Sequence, residues 1–304
     1  MTTPSPLQLS RALSRLDRLG PSDPLPILEG SRPVGNAFRI GVTGPLGAGK
    51  SSLINEIIRA YRKRGKTVGV IAIDPSSPFT GGALLGDRVR MGDSSGDDGV
   101  FIRSLATRGS SGGLTVVAVD AADLLDMAGF DLVIIETVGV GQVEVDIVGA
   151  CDLTVVVLEP SSGDMIQTMK AGLMEIADLF VVNKKDLRGF ERYITDLDMA
   201  LDMREWKRRP GVLATLARTG DGIAELVNWM EEWSKRTRED GTQDERRKAQ
   251  RSDRIRRAAE AILVKNFWEE TGHGQVETLV AEGITERLAA KRLVEGFLAG
   301  HVEP

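Results

Sequence analysis

Short apolar runs alternate with longer amphipathic stretches along most of the chain. The runs are rich in β-branched residues and are bounded by polar ones, which is typical of strands buried on both faces. They are RIGV (39–42), TVGVIAID (67–74), GVFIRS (99–104), FDLVIIET (130–137), LTVVVLEP (153–160), DLFVVNKKD (178–186) and PGVLATLA (210–217). Stretches of helical periodicity separate them, so the pattern predicts an α/β fold with a mostly parallel sheet covered on both faces.

Outside this region the pattern is helical. Leucines between residues 7 and 19 mostly have the spacing of an amphipathic helix, and a segment with four prolines follows. After about residue 235 the strand-like runs stop, and residues 255–298 have a helical pattern. We therefore predict an N-terminal helical extension over 1–37, an α/β domain over 38–235 and a C-terminal helical arm over 236–304.

Charge and composition narrow the possible functions. The 304 residues carry a net charge of −5, so no overall positive field attracts nucleic acid or an anionic membrane. Residues 235–257 hold ten Lys/Arg against five Asp/Glu, which we expect to form a solvated helix face or linker. A single cysteine, Cys151, suits a reducing compartment, and no apolar run reaches the length of a membrane span. We expect a cytoplasmic protein without nucleic-acid or membrane partners.

The stretch GPLGAGKSS (44–52) fits the pattern G-x-x-x-x-G-K-[ST] and lies between a predicted strand and a predicted helix. Glycines let successive backbone N–H groups face one anion, and a helix N-terminus adds partial positive charge. We predict that Lys50, expected to face solvent before nucleotide binds, reaches the β- and γ-phosphates, and that the Ser51 hydroxyl binds Mg²⁺. The predicted phosphate-binding residues are Gly44, Gly47, Ala48, Gly49, Lys50, Ser51 and Ser52.

A second motif, NKKD (183–186), follows an apolar run and so lies at the carboxyl end of a strand, where ligands bind in open α/β sheets. The Asp186 carboxylate can accept hydrogen bonds from N1–H and N2–H₂ of guanine, a pair that adenine lacks. We predict guanine recognition by Asn183, Lys184 and Asp186, with the backbone of Ala217 in TLARTGDG closing over the base.

Three carboxylates are candidates for further Mg²⁺ ligands, directly or through water. Asp74 and Glu136 end two predicted strands, and Asp87 lies in the long loop after Asp74. Gly139 follows Glu136 by three residues and can offer its N–H to the γ-phosphate. The predicted Mg²⁺ set is Ser51, Asp74, Asp87 and Glu136.

Hydrolysis also needs an oriented water and extra positive charge on the transition state. Val140 rather than glutamine follows Gly139, so the residue that orients water in small signalling GTPases has no counterpart there. Gln142 is the nearby candidate, and we expect slow intrinsic hydrolysis that a partner accelerates. The candidate catalytic residues are Lys50, Asp74, Glu136 and Gln142.

Four longer segments together resemble the MeaB-like family of methylmalonyl-CoA-mutase-associated GTPases, also labelled arginine/ornithine transport kinases. They are DPSSP (74–78), GALLGDRVRM (82–91), FIRSLATRGS (101–110) and ETVGVGQVEVD (136–146), and the similarity extends from about residue 38 to 225. The resemblance implies a P-loop GTPase domain over 38–235. It also implies phosphate and Mg²⁺ roles for Lys50, Ser51, Asp74, Asp87 and Glu136.

Members of that family are homodimers that act with adenosylcobalamin-dependent acyl-CoA mutases, gating cofactor loading and protecting the mutase from inactivation. The resemblance therefore implies GTP or GDP and Mg²⁺ as cofactors and a B12-dependent acyl-CoA mutase as partner. The segment SGDMIQTMKAG (162–172) matches a family switch in which Asp164, Gln167 and Lys170 signal to the partner. The C-terminal arm is then expected to form the dimer contact.

Three alternatives stay open on the residues alone. A metallochaperone GTPase for nickel or another metal shares the fold, but it needs a Cys or His motif that Cys151, His273 and His301 do not form. A kinase for amino-acid transport proteins has to transfer phosphate to a protein hydroxyl, and the guanine motif disfavours it. A scaffold that merely holds GTP differs from both by its lack of turnover.

Overall fold

The computed structural model describes residues 5–75, 97–107, 113–137, 146–160 and 172–301, apart from a few positions before residue 37. Those positions are 17, 18, 21, 27, 29, 30, 32, 33 and 36. The strands are β1 (Phe38–Thr43), β2 (Val68–Pro75), β3 (Val100–Thr107), β4 (Leu132–Thr137), β5 (Leu153–Leu158), β6 (Leu179–Val182) and β7 (Gly211–Ala214). The α-helices are α1 (Pro6–Leu16), α2 (Lys50–Lys63), α3 (Gly113–Met127), α4 (Leu173–Ile176), α5 (Phe190–Asp202), α6 (Ile223–Glu239), α7 (Thr242–Ala281) and α8 (Glu286–His301), and a 3₁₀-helix spans Ile147–Ala150.

The seven strands form one sheet in the order β3-β2-β4-β1-β5-β6-β7, and every neighbouring pair is parallel. β1 lies in the middle, between β4 and β5. The chain that leaves the carboxyl end of β1 therefore emerges between the carboxyl ends of two other strands. In open α/β sheets a crevice at such a position is where ligands bind.

Both faces of the sheet are buried, and β5 shows how one short run serves both. Val155 and Val157 belong to the core that α2 and α6 complete, whereas Val156 and Leu158 belong to the core formed with α4 and α5. Because successive side chains of a strand point to opposite faces, such a strand has to be apolar at nearly every position. This explains the continuous apolar runs of the sequence. The predicted α/β class with a parallel sheet is confirmed, and each predicted run coincides with one strand.

The first turns of α7 are hydrogen-bonded to the amino-terminal edge of the sheet. Arg246 donates to Asp178 Oδ2 at 2.7 Å and to the carbonyl oxygen of Asp152 at 3.1 Å. Arg247 donates to both carboxylate oxygens of Asp152, at 2.7 and 2.6 Å. The expectation of a solvated face or linker is therefore wrong for this part of 235–257. Two aspartates that precede β5 and β6 give the guanidinium groups fixed acceptors.

Cys151 is buried next to this edge. Its thiol donates to the carbonyl of Ile147 at 3.3 Å, and burial raises the pKa of the thiol to about 11. The thiol is therefore uncharged at neutral pH, and a metal would have to displace core packing to reach it. A metallochaperone site at Cys151 is thus disfavoured by position as well as by sequence.

The described residues group into two compact units, one made of residues 25–250 with those before 19, the other of 19–24 and 251–304. In the second unit α7 and α8 contact each other through Phe267 and Phe297, whose ring centroids are 5.3 Å apart. The domain boundaries after residues 37 and 235 remain predictions. Among the described residues, no helix combines the length and apolarity needed to cross a membrane.

Candidate functional site

Three glycines with positive φ shape the loop between β1 and α2. The values are 132° for Gly44, 89° for Gly47 and 90° for Gly49, all in the region that favours glycine. A Cβ at Gly44 would lie 2.1 Å from the carbonyl oxygen of Val157, and one at Gly49 would lie 2.4 Å from Asn183 Nδ2. The loop is thus pressed against the ends of β5 and β6, which leaves no room for side chains at these two positions.

Lys50 begins α2 and folds back over this loop. Its Nζ donates to the carbonyl oxygens of Gly44 at 2.6 Å and Pro45 at 3.0 Å. Only 6% of the residue is exposed, so the expectation that Lys50 faces solvent is wrong. Loop carbonyls supply the acceptors that make burial of the ammonium group possible. The charge is thereby held at the mouth of the loop where phosphates are predicted to bind.

Ser51 and Glu136 meet beside the loop. Glu136 lies on β4 opposite Val42 of β1, and it is 2% exposed. The Ser51 hydroxyl donates to Glu136 Oε1 at 2.7 Å. Two of the predicted Mg²⁺ ligands are therefore adjacent, although 85 residues separate them in the chain.

A pair of threonines that the sequence analysis did not single out lies at the same edge. Thr137 Oγ1 donates to Thr43 Oγ1 at 2.8 Å, and both residues are fully or almost fully buried. This hydroxyl pair links the last residues of β4 and β1, directly before the segments predicted to contact the phosphates. A polar residue that ends an otherwise apolar strand is the signal that could have identified each of them.

Asn183 connects three segments of the site. Its Nδ2 donates to the carbonyl of Ala48 at 3.0 Å, and its Oδ1 accepts from Ala217 N at 3.0 Å and from Thr215 Oγ1 at 3.2 Å. The first residue of the predicted base motif thus holds the phosphate loop and the TLARTGDG segment together. The Ala217 N–H that we assigned to the base is bonded to Asn183 here.

The rest of the NKKD motif is more open to solvent. Lys184 has a φ of 58°, and its ammonium group pairs with Glu159, which follows β5 and which the sequence analysis missed. The Asp186 side chain is 44% exposed, and its Oδ2 lies 3.4 Å from Arg218 Nη2. The carboxylate predicted to recognise guanine is therefore accessible to solvent.

Several predicted residues lie outside what the structure describes. These are Asp87, Gly139, Gln142 and the switch residues Asp164, Gln167 and Lys170. Asp74 belongs to β2, one residue beyond the pair Ile73 and Thr137, but its side chain is not described. Ser52 is exposed on the first turn of α2. Within the described part of the chain no group of three or more acidic, histidine or cysteine side chains is placed to hold a metal ion.

Comparison with known proteins decides the family. A family model described as Methylmalonyl Co-A mutase-associated GTPase MeaB matches residues 25–272. The chain belongs to this family. The resemblance found in the sequence is confirmed, and the protein is a P-loop GTPase that binds guanine nucleotide.

Individual relatives of this MeaB-family chain span much of its length. A protein of Pyrococcus abyssi named as a GTPase is 47% identical over 251 residues, 81% of this chain and 78% of that protein. The Mus musculus protein named methylmalonic aciduria type A homolog, mitochondrial, is 39% identical over 203 residues, 64% of this chain and 49% of that protein. The crystal structure of an LAO/AO transport system kinase superposes with a TM-score of 0.66 over 98% of this chain and 100% of that one, at 23% identity, which shows the shared fold.

Proposed function

We propose that this MeaB-family GTPase is a chaperone of a B12-dependent acyl-CoA mutase, with methylmalonyl-CoA mutase as the client. It gates the loading of adenosylcobalamin and protects the mutase from inactivation. The observation that carries the proposal is the family match over residues 25–272, whose description names this mutase. The name of the mouse relative, which refers to methylmalonic aciduria, supports the same client.

GTP binds, in this proposal, with its phosphates on the loop 44–52. The positive-φ glycines leave backbone space that a Cβ would fill, and Lys50 is already held at the loop mouth. Lys50 exchanges its bonds to the loop carbonyls for bonds to the β- and γ-phosphates. Asp186 at the rim accepts hydrogen bonds from guanine. Asn183 holds the phosphate loop and the TLARTGDG segment together through its bonds to Ala48 and Ala217.

Magnesium fits the residues beside the loop. The Ser51 hydroxyl and the buried Glu136 carboxylate are hard oxygen donors that lie 2.7 Å apart. We assign the ion to these two residues together with Asp74 and Asp87. Bound there, it neutralises charge on the β- and γ-phosphates. Gln142 is proposed to orient the attacking water, and Gly139 to donate its N–H to the γ-phosphate.

The mutase is expected to accelerate GTP turnover through the switch segment 162–172. Lys170→Ala should leave GTP affinity and intrinsic turnover nearly unchanged, yet remove most of the acceleration. The reason is that Asp164, Gln167 and Lys170, spaced by three, share one face if the segment is helical, and a partner can bind that face without contacting the nucleotide. The measurement is steady-state phosphate release with and without saturating methylmalonyl-CoA mutase.

Lys207→Ala is the matched control, because Lys207 is an exposed lysine of the same unit outside the switch segment. It should retain full acceleration. Full acceleration of the Lys170 variant, or an equal loss of its intrinsic rate, contradicts a signalling role for Lys170. No effect of the mutase on the native protein contradicts the proposed client itself.

A homodimer formed through the second compact unit is also proposed. Large apolar side chains of α7 and α8 in that unit are exposed, at 60% for Leu263 and 70% for Val280. Others in the unit are Ile255, Val264, Trp268, Leu288, Val294 and Leu298. Exposed apolar surface of this extent is typical of a protein–protein interface. In a symmetric dimer the same surface of each protomer is buried against its partner.

Truncation after residue 250 should therefore yield a monomer that still binds GTP. Cutting there keeps Arg246 and Arg247, whose hydrogen bonds to Asp178 and Asp152 hold α7 to the sheet. Light scattering after size-exclusion chromatography measures the mass, and a fluorescent GTP analogue measures binding. A dimer that survives the truncation places the interface on residues before 251.

A cytoplasmic location completes the proposal. The chain has a single cysteine and so forms no intrachain disulfide, which suits a reducing compartment.

A further inference from the structure

An open cavity of about 680 Å³ lies at the amino-terminal edge of the sheet, the edge opposite the phosphate loop. Its apolar wall consists of Phe38 at the start of β1, Leu132 at the start of β4, and Tyr61 near the end of α2. The polar wall consists of Lys66, Asp131, Glu231, Ser234, Lys235, Arg238 and Glu239. The volume is that of a site for a small molecule.

One face of α6 supplies most of the polar wall. Residues 231, 234, 235, 238 and 239 lie on one face of the helix, because each is three or four positions from another member of the set. The neighbouring face of α6, with Leu226, Val227, Met230 and Trp233, packs in the core. The cavity therefore lies where a polar helix face adjoins the apolar end of the sheet.

Tyr61 is the unusual member of the wall. The residue is 5% exposed, and its hydroxyl oxygen is buried without a hydrogen-bond partner among the described residues. Burial, together with the nearby Glu231 carboxylate, raises the pKa of Tyr61, so the phenol stays protonated at physiological pH. A buried hydroxyl donor with no acceptor is rare in folded proteins, because leaving it unpaired is unfavourable.

The charges around the cavity indicate what kind of molecule can supply the acceptor. Each acidic group of the wall already has a cation. Asp131 pairs with Lys66 at 3.3 Å, Glu231 with Arg64 at 2.5 Å and Glu239 with Lys235 at 3.9 Å. The wall therefore contains no uncompensated cluster of one sign, and the Glu231 carboxylate, which acts on Tyr61 electrostatically, also repels an anion. An uncharged ligand suits this balance.

We propose that this cavity binds an uncharged planar molecule whose carbonyl oxygen accepts a hydrogen bond from the Tyr61 hydroxyl once the side chains that cover this hydroxyl turn aside. The flat, apolar part of the ligand packs against Phe38 and Leu132, and its edge faces the polar side of α6. Lys66 and Lys235 have half or more of their side chains exposed, so rotation of these long chains can widen the entrance. The site is separate from the nucleotide site at the opposite edge of the sheet.

Fluorine NMR of the full chain tests this proposal with 4-fluorobenzamide as the probe. The protein has only two tyrosines, Tyr61 and Tyr193, so labelling with 3-fluorotyrosine gives two protein resonances, which the Tyr193→Phe variant assigns. The probe should shift the Tyr61 resonance saturably and leave the Tyr193 resonance in place. The Tyr193→Phe variant should bind the probe with native affinity.

Two variants then test the contact between Tyr61 and the probe. In these samples, binding is measured from the fluorine resonance of the probe. Tyr61→Phe keeps the ring and removes the donor, so the probe should bind about tenfold more weakly. Ser234→Phe fills the cavity from the α6 side and should abolish binding. GTP affinity in the same samples should stay native, because the phosphate loop is at the other edge. Native probe affinity in either variant, or a shift of the Tyr193 resonance equal to that of Tyr61, overturns the proposal.

Discussion

Replacing Lys50 by alanine is expected to lower GTP turnover by about 10²- to 10³-fold, the loss typical when one charge-stabilising donor is removed from a transition state. The Lys50 ammonium group is the cation that the structure holds at the phosphate loop, bonded to Gly44 and Pro45. In the variant, this donor no longer stabilises the charge that develops on the transferred phosphoryl group. Nucleotide affinity should fall as well, because the same group is proposed to contact the β-phosphate.

The fold should survive the Lys50 replacement. The loop is shaped by its glycines and by the bond between Asn183 and the Ala48 carbonyl, neither of which involves Lys50. Phosphate release measures turnover, and the thermal unfolding midpoint measures the fold. Lys63→Ala, at the exposed far end of the same helix, is the matched control and should keep native turnover. Native turnover in the Lys50 variant contradicts the assignment of the phosphate site.

The sheet could be predicted from the sequence because its strands are buried on both faces. Runs such as LVIIET and LTVVVL are apolar at almost every position, and each coincides with one strand. The phosphate loop could be predicted because only glycine tolerates its conformation. Both features depend on neighbours in the chain, and such local requirements are visible in one sequence.

Contacts between distant residues could not be predicted in this way. A lone lysine is usually exposed, so the sequence predicts Lys50 in solvent. Its burial depends on two carbonyls that the glycine-rich loop turns toward it. Asn183 was assigned to the base from its motif, but its contact with Ala48 spans 135 residues. No periodicity or spacing encodes which backbone carbonyl an amide side chain meets.

The arginines at the start of the C-terminal arm show that the sequence also does not reveal which charged residues pair with each other. A segment rich in arginine has the composition of a solvated linker, and the sequence does not show which acids lie opposite it. Arg247 donates to Asp152, and Arg246 to Asp178, aspartates that the fold places at the edge of the sheet. The acids precede buried strands, so their position in space is fixed by the sheet and not by the arm.

Replacing Asp186 by asparagine is expected to change the base preference from guanine to xanthine. The carboxylate is predicted to accept from N1–H and N2–H₂ of guanine, and the amide of asparagine instead offers a donor to the C2 carbonyl oxygen of xanthine. Loss of charge-assisted hydrogen bonds of this kind should weaken GTP binding by about 10- to 100-fold, and XTP should bind more tightly than GTP. The fold should be unaffected, because Asp186 is 44% exposed and its neighbour Arg218 is on the surface.

Asp221→Asn provides the matched control for this change. Asp221 is a similarly exposed aspartate in the adjoining segment, where it pairs with Lys185 at 2.5 Å as Asp186 pairs with Arg218. If the effect comes from general loss of negative charge at the site edge, both variants will weaken GTP equally. If Asp186 reads the base, only its variant will prefer XTP. Competition binding of GTP, XTP and ATP to native and variant proteins decides between these outcomes, and equal binding of ATP and GTP by the native chain contradicts the role given to the NKKD motif.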